Sequence, residues 1–194
     1  MTSRKLILIK HARPQVMENV TSREWRLSEE GRRACIPLAE AVGALEPVVI
    51  VTSDEPKAQE TGQLVAEALG KPIETAPGLQ EHDRSNVPMM RSGEFLSALA
   101  TFFKQPDRRV LGRETAYEAA GRFDRAIESL LLKHPEGNVA VVTHGTVLAL
   151  FASENGAGDP FMLYRQLGLP SIVVFSAPDY ALLEKHERIA TPPT

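Results

Sequence analysis

The sequence predicts an α/β fold of three layers, with a mostly parallel central sheet flanked by helices. Brief aliphatic runs alternate along the chain with longer segments of helical spacing, the order of elements that builds a parallel sheet crossed by helices. The aliphatic runs are also nearly continuous, as in Val139-Ala140-Val141-Val142. Such runs suit strands buried on both faces, whereas a one-faced sheet would alternate apolar with polar residues.

Lys5 to Ile9 forms the first strand, an apolar run cut off by Lys10-His11-Ala12-Arg13-Pro14. In the helix that follows, Cys35, Leu38, Val42 and Leu45 recur at helical spacing behind Ser28, an N-cap with Glu29 and Glu30 well placed in the first turn. Pro37 is expected to kink it. Val48 to Thr52 is the second strand. The next helix opens at Asp54 and Pro56, repeats Ala58, Thr61, Val65 and Ala68, and closes at Gly70. Pro72 to Thr75 reads as a weaker edge strand. From His82 to Arg113 the pattern is least regular, with Phe95, Leu99 and Phe102 marking a short helix that a surface loop or a lid would carry. Ala116, Ala120, Phe123, Ile127 and Leu130 mark a longer one. Asn138 to Thr143 and Ile172 to Phe175 complete the buried strands, and Ala181 to Lys185 is a further candidate.

A chain of 194 residues supports one sizeable core, so residues 1–190 read as a single domain and 191–194 as a flexible tail held out of regular pairing by two prolines. The formal charge of -3 is too small to argue for nucleic acid or a membrane as partner. Cys35 is the only cysteine, which excludes an internal disulfide and a multi-cysteine metal site and reads as a small core residue. The N-terminal apolar run is too short for a signal-peptide core, and no apolar segment is long enough to span a bilayer. The expected location is cytoplasmic.

In open parallel sheets, ligands bind beyond the carboxyl ends of the strands. Here those ends carry Lys10-His11-Ala12-Arg13, then Ser53-Asp54-Glu55-Pro56-Lys57, then Thr143-His144-Gly145-Thr146. Each histidine alone reads more naturally as a hydrogen-bonded structural residue; two of them with several cations at one rim do not. Neither histidine has a partner at zinc-ligand spacing, and the serine elbow GxSxG and the phosphate loop GxxxxGK[ST] are both absent. A pocket of imidazoles and cations suits a phosphoryl group.

LILIKHARP, TSDEPKAQETG, LQEHD and VVTHGTVLALF, in this order and at these spacings, resemble the histidine phosphatase superfamily, the phosphoglycerate mutase-like fold, over essentially the whole chain. Lys10-His11-Ala12 resembles the family's Arg-His-Gly motif and Thr143-His144-Gly145 its second-histidine motif. Leu27-Ser28-Glu29-Glu30-Gly31 is similar to the start of its first helix. The resemblance implies that His11 attacks phosphorus, that His144 stabilises the transferred group, and that Glu81 serves as general acid and base, with Asp83 its rival. No metal or cofactor is expected.

At two positions where the family motif has arginine this chain has Lys10 and Lys57, an exchange that keeps the charge and loses the planar fork that grips two phosphate oxygens. Arg13 is placed to restore a guanidinium to the phosphate site or to act as a surface cation. Ala12 stands where the motif has glycine, and Met17 where some members carry asparagine, with Asn19 nearby. Three activities remain open: a metal-independent phosphomonoester hydrolase, a non-catalytic phospholigand-binding module, and a mutase. A plain nucleotide-binding domain fits less well, because no glycine fingerprint follows the first strand. The partner is a small phosphorylated metabolite or a phosphoprotein. Arg84, Arg91 and Arg108-Arg109 read as solvated charge rather than as a second anion site. Met89-Met90 and Phe161-Met162 are apolar pairs of the kind a homo-oligomer interface uses.

Overall fold

The structure, a computed structural model, describes residues 4–18 and 20–189. The tail at 191–194 and Asn19 lie outside the described residues. In chain order the elements are β1 (Arg4–Lys10), a 3₁₀ turn (Ser22–Glu24), α1 (Glu29–Gly43), β2 (Pro47–Thr52), α2 (Pro56–Leu69), β3 (Ile73–Thr75), α3 (Ser92–Lys104), α4 (Ala116–Lys133), β4 (Asn138–Thr143), α5 (Gly145–Glu154), α6 (Pro160–Gln166), β5 (Ser171–Ala177) and β6 (Leu182–His186). The sheet order is β3-β2-β4-β1-β5-β6. Pairings among β1, β2, β3 and β4 are parallel, whereas β5 runs antiparallel to both β1 and β6. The sheet is thus mixed and mostly parallel, as its continuous apolar runs imply.

Successive strand residues point to opposite faces, and both faces are covered. Leu6, Leu8, Val139, Val141 and Phe175 pack with α3, α4 and α5 residues such as Phe102, Phe123 and Phe151. Ile7, Ile9, Ala140, Val142 and Val174 pack with Leu38, Val42 and Val65 of α1 and α2. Ser28 caps α1 by accepting from the Gly31 N–H at 3.1 Å, and Gly70 closes α2 in the left-handed conformation at φ 60°. α1 runs as one element with Pro37 inside it. α5 and α6 were not expected from spacing: α5 is buried on every side from Gly145 to Ala152, so it has no apolar stripe to detect, and α6 is only seven residues long. Among the described residues no helix is long and apolar enough to cross a membrane.

This topology gathers three strand ends. Lys10 pairs with Thr143, and Thr52 with Val142, so His11, Ser53 and His144 emerge side by side. Backbone bonds extend the ladder past the strands, from His11 N–H to the Thr143 carbonyl and from Ser53 N–H to the Val142 carbonyl, both 3.0 Å. α5 begins directly after His144, which aims the positive end of its dipole at the same rim.

Candidate active site

His11 is 7% exposed. Its ring Nδ1 lies 2.7 Å from the Ala12 carbonyl oxygen. A carbonyl only accepts, so Nδ1 carries the proton and Nε2 keeps its lone pair. Burial, with added repulsion from His144, Lys57 and Lys10, holds the ring neutral well below the usual imidazole range. The Ala12 N–H donates to Thr61 Oγ1 at 3.0 Å, which fixes the carbonyl that orients His11. Ala12 is not among the residues with positive φ, so this position makes no demand that only glycine meets.

His144 is fully buried, its ring centroid 5.2 Å from that of His11. Nε2 lies 2.8 Å from Ser53 Oγ and Nδ1 has no partner. Ser53 Oγ also accepts from the Glu55 N–H at 3.3 Å, which holds the hydroxyl against the ring. Burial and the charge of Lys57 lower this imidazole to about 3.

Three carboxylates are organised around the histidines. Glu55, 3% exposed, pairs with Lys57, accepts from the Glu81 N–H at 2.9 Å and lies 3.7 Å from His144 Nε2. Glu81 accepts from the N–H groups of His82 at 2.9 Å and Thr146 at 3.2 Å. Burial alone would raise the Glu81 carboxyl; Arg84, His144 and those two N–H groups outweigh it and hold it at about 2. Glu114 grips Arg122, whose guanidinium also donates to the carbonyls of Gly78, Gln80 and Glu81. Arg122 thereby sets the path of the loop that presents Glu81. Asp83 instead accepts from Ser85 N–H within its own turn.

The expected cations divide. Lys57 is buried and close enough to bias both imidazoles, but its amine bonds Glu55 and the Ser22 carbonyl. Lys10 turns its amine to the Leu167 carbonyl at 2.7 Å, 5.0 Å above the Tyr164 ring; burial lowers it to about 8. Arg13 does not enter the site: its side chain is 56% exposed and pairs with Glu30 at 3.1 Å. Arg84, expected from the sequence to be solvated charge, does bring its guanidinium to the site. It lies 3.7 Å from Glu81, donates to Thr146 Oγ1 at 3.3 Å and covers the Phe95 ring. Its one signal in the sequence is its place three residues after Glu81, which does not separate a site residue from a surface one.

A polar cavity of about 250 Å³ borders Ser22, Glu55, Glu81, Arg84 and Arg122. The sequence profile of the histidine phosphatase superfamily (branch 1) matches residues 6–179. The chain belongs to the histidine phosphatase superfamily. Within that superfamily it is 28% identical over 157 residues to a metal-independent phosphoserine phosphatase of Arabidopsis thaliana, covering 74% of this chain and 65% of that protein. It is 26% identical over 132 residues to a probable phosphoglycerate mutase GpmB of Cronobacter sakazakii, covering 66% and 61%. It thus spans just under two thirds of the length of either relative. A mycobacterial glucosyl-3-phosphoglycerate phosphatase in complex with inorganic phosphate superposes with a TM-score of 0.76 over 97% of this chain and 98% of that one, at 20% identity. The phosphoglycerate mutase-like fold is common to both.

Proposed function

We propose that this histidine phosphatase superfamily member hydrolyses phosphate monoesters through a phosphohistidine at His11, without a metal. The observation that carries the reading is the bond from His11 Nδ1–H to the Ala12 carbonyl, which leaves a neutral, oriented Nε2 lone pair beside a second buried imidazole. In the first step Nε2 forms a bond to phosphorus while the ester P–O bond breaks, and the departing alkoxide takes a proton from Glu81. In the second, Glu81 as carboxylate accepts a proton from water, whose oxygen attacks phosphorus; the N–P bond breaks and inorganic phosphate leaves. Splitting one displacement into two is the usual gain of covalent catalysis. Arg84 supplies positive charge to the equatorial oxygens, with the His144 imidazole beside them and Lys57, paired with Glu55, acting through its field.

A carboxyl held at about 2 is a poor acid at neutral pH. The chemistry itself supplies the remedy. A phosphate dianion competes for Arg84 and repels the Glu81 carboxylate, and both effects raise its pKa. That rise is what proton donation from Glu81 to the leaving group requires. Glu81→Gln should slow alkyl phosphates, whose leaving groups need a proton, by about 10²–10⁴-fold, and aryl phosphates far less.

A second reading, a binding module without turnover, draws support from the amines of Lys10 and Lys57, both engaged by other groups. Release of phosphate from p-nitrophenyl phosphate in the presence of EDTA separates the two. Turnover and an acid-labile phosphoenzyme, both lost in His11→Ala, are expected. Phosphate binding with no turnover in the natural protein would favour the module. Turnover only with a bisphosphate primer would favour a mutase.

A further inference from the structure

A second cavity, of about 810 Å³, adjoins the polar one. Thr21, Ser22, Arg84 and Ser85 line both, and Glu81, the proposed proton donor to the leaving group, lines the polar one, so the donor borders a continuous space. The rest of the second cavity's lining is mostly apolar, with Trp25, Val87, Met89, Met90, Phe95 and Leu96. Its volume falls in the range of pockets that enclose most of a small organic molecule. Trp25 is fastened by its indole N–H to the carbonyls of Met17 and Val20, at 3.2 and 3.1 Å. Phe95 is held between the Arg84 guanidinium, 5.0 Å from its ring centre, and Tyr164, centroid to centroid 6.5 Å. Met89 and Met90, in the same lining, are adaptable surfaces.

Of the described residues in this lining only Glu18 and Arg84 are charged, and Arg84 is committed to Glu81, Thr146 and the phosphoryl group. A substrate carrying a carboxylate next to its ester, such as phosphoserine or a phosphoglycerate, would bring a second negative charge to a space whose other cations, Arg23 and Arg122 of the polar cavity, are already paired with Asp54 and Glu114. We infer that the leaving group this site accepts is a bulky, apolar alcohol without a charge of its own. The inference rests on the phosphatase reading for its chemistry, although the cavity and its lining stand independently of turnover.

The test compares three alkyl phosphates of similar leaving-group reactivity: 3-phenylpropyl phosphate, propyl phosphate and phosphoserine. In the natural protein kcat/KM should favour 3-phenylpropyl phosphate over each of the others by about tenfold or more, since even a single methylene in an apolar pocket discriminates on that scale. Binding to His11→Ala, measured by calorimetry, should follow the same order. Leu96→Gln should lower the ratio of phenylpropyl to propyl phosphate, and Met89→Gln, at an exposed position, gives the same readout if the first variant does not fold. Phosphoserine turned over or bound as well as the phenylpropyl ester would overturn the inference while leaving the hydrolase intact, as would a ratio that neither variant changes. If no ester is turned over, the hydrolase reading fails, and the binding order alone decides the preference of the cavity.

Discussion

At the scale of single residues, charge has been rearranged without being lost. Lys10 holds the alignment of motif and strand, but its amine serves the Leu167 carbonyl, and Arg13 contributes through its backbone, whose carbonyl accepts from both Ser28 N–H and Ser28 Oγ. Arg84 offers the planar fork those positions lack. Arg84→Ala should therefore lower kcat by about 10²–10³-fold, the usual cost of one donor to a developing oxyanion, and Arg84→Lys should restore part of it. Steady-state kinetics on p-nitrophenyl phosphate check this; a change confined to stability would remove Arg84 from the site. The residue type is written in the sequence. Its burial against Phe95 and Glu81 is not, because it depends on where a long irregular segment folds back.

At the scale of elements, two connections hold the chemistry in place. The loop after His11 lies against the first turn of α1 so closely that a Cβ on Gly31 would fall 2.1 Å from the Arg13 carbonyl oxygen. Gly31→Ala must push that loop aside, at a cost of about 1–3 kcal/mol, with loss of activity from a displaced His11. Denaturant unfolding and phosphate release measure the two effects separately. The other connection is Arg122 of α4, which reaches the Gly78–Glu81 loop from a neighbouring helix. Arg122→Ala should reduce kcat on alkyl phosphates more than on aryl phosphates, since it misplaces the proton donor rather than the nucleophile. Equal loss on both would mean that Arg122 supports the fold alone. Gly31 belongs to a recognisable motif in the sequence; Arg122 reads there only as one position of an amphipathic helix, because the loop carbonyls it reaches lie more than 40 residues away.

For the molecule as a whole, buried imidazoles make stability depend on pH. His144 is held to about 3, and His11 and His82 are also lowered, first by burial. Unfolded, each takes up a proton near pH 6.5 or about that value. Between the folded and unfolded values the unfolded chain binds more protons, so stability falls as pH falls. The slope is about 1.4 kcal/mol per pH unit for each imidazole kept neutral. Lys10 acts at the opposite end: lowered from 10.5 to about 8, it adds stability as pH rises through that interval. Urea unfolding at pH 5 and pH 7 should show the acid loss, and His144→Asn should reduce its slope by one proton. An unchanged slope would mean that His144 is protonated in the folded state.

Legible in the chain alone are the layered α/β architecture, the strand ends that meet at the rim, and the superfamily. These follow from local information: apolar periodicity, turn and cap residues, and motifs whose members lie within a few positions of one another. Packing sets the rest: which cation points where, that β5 runs antiparallel, that α5 is a helix buried on all sides, and that an apolar cavity opens beside the polar one. Each of these depends on contacts between segments far apart in the chain, and a side chain's direction is set by the partner that meets it. Lys10 met a carbonyl, Arg13 met Glu30, and Arg84 met Glu81.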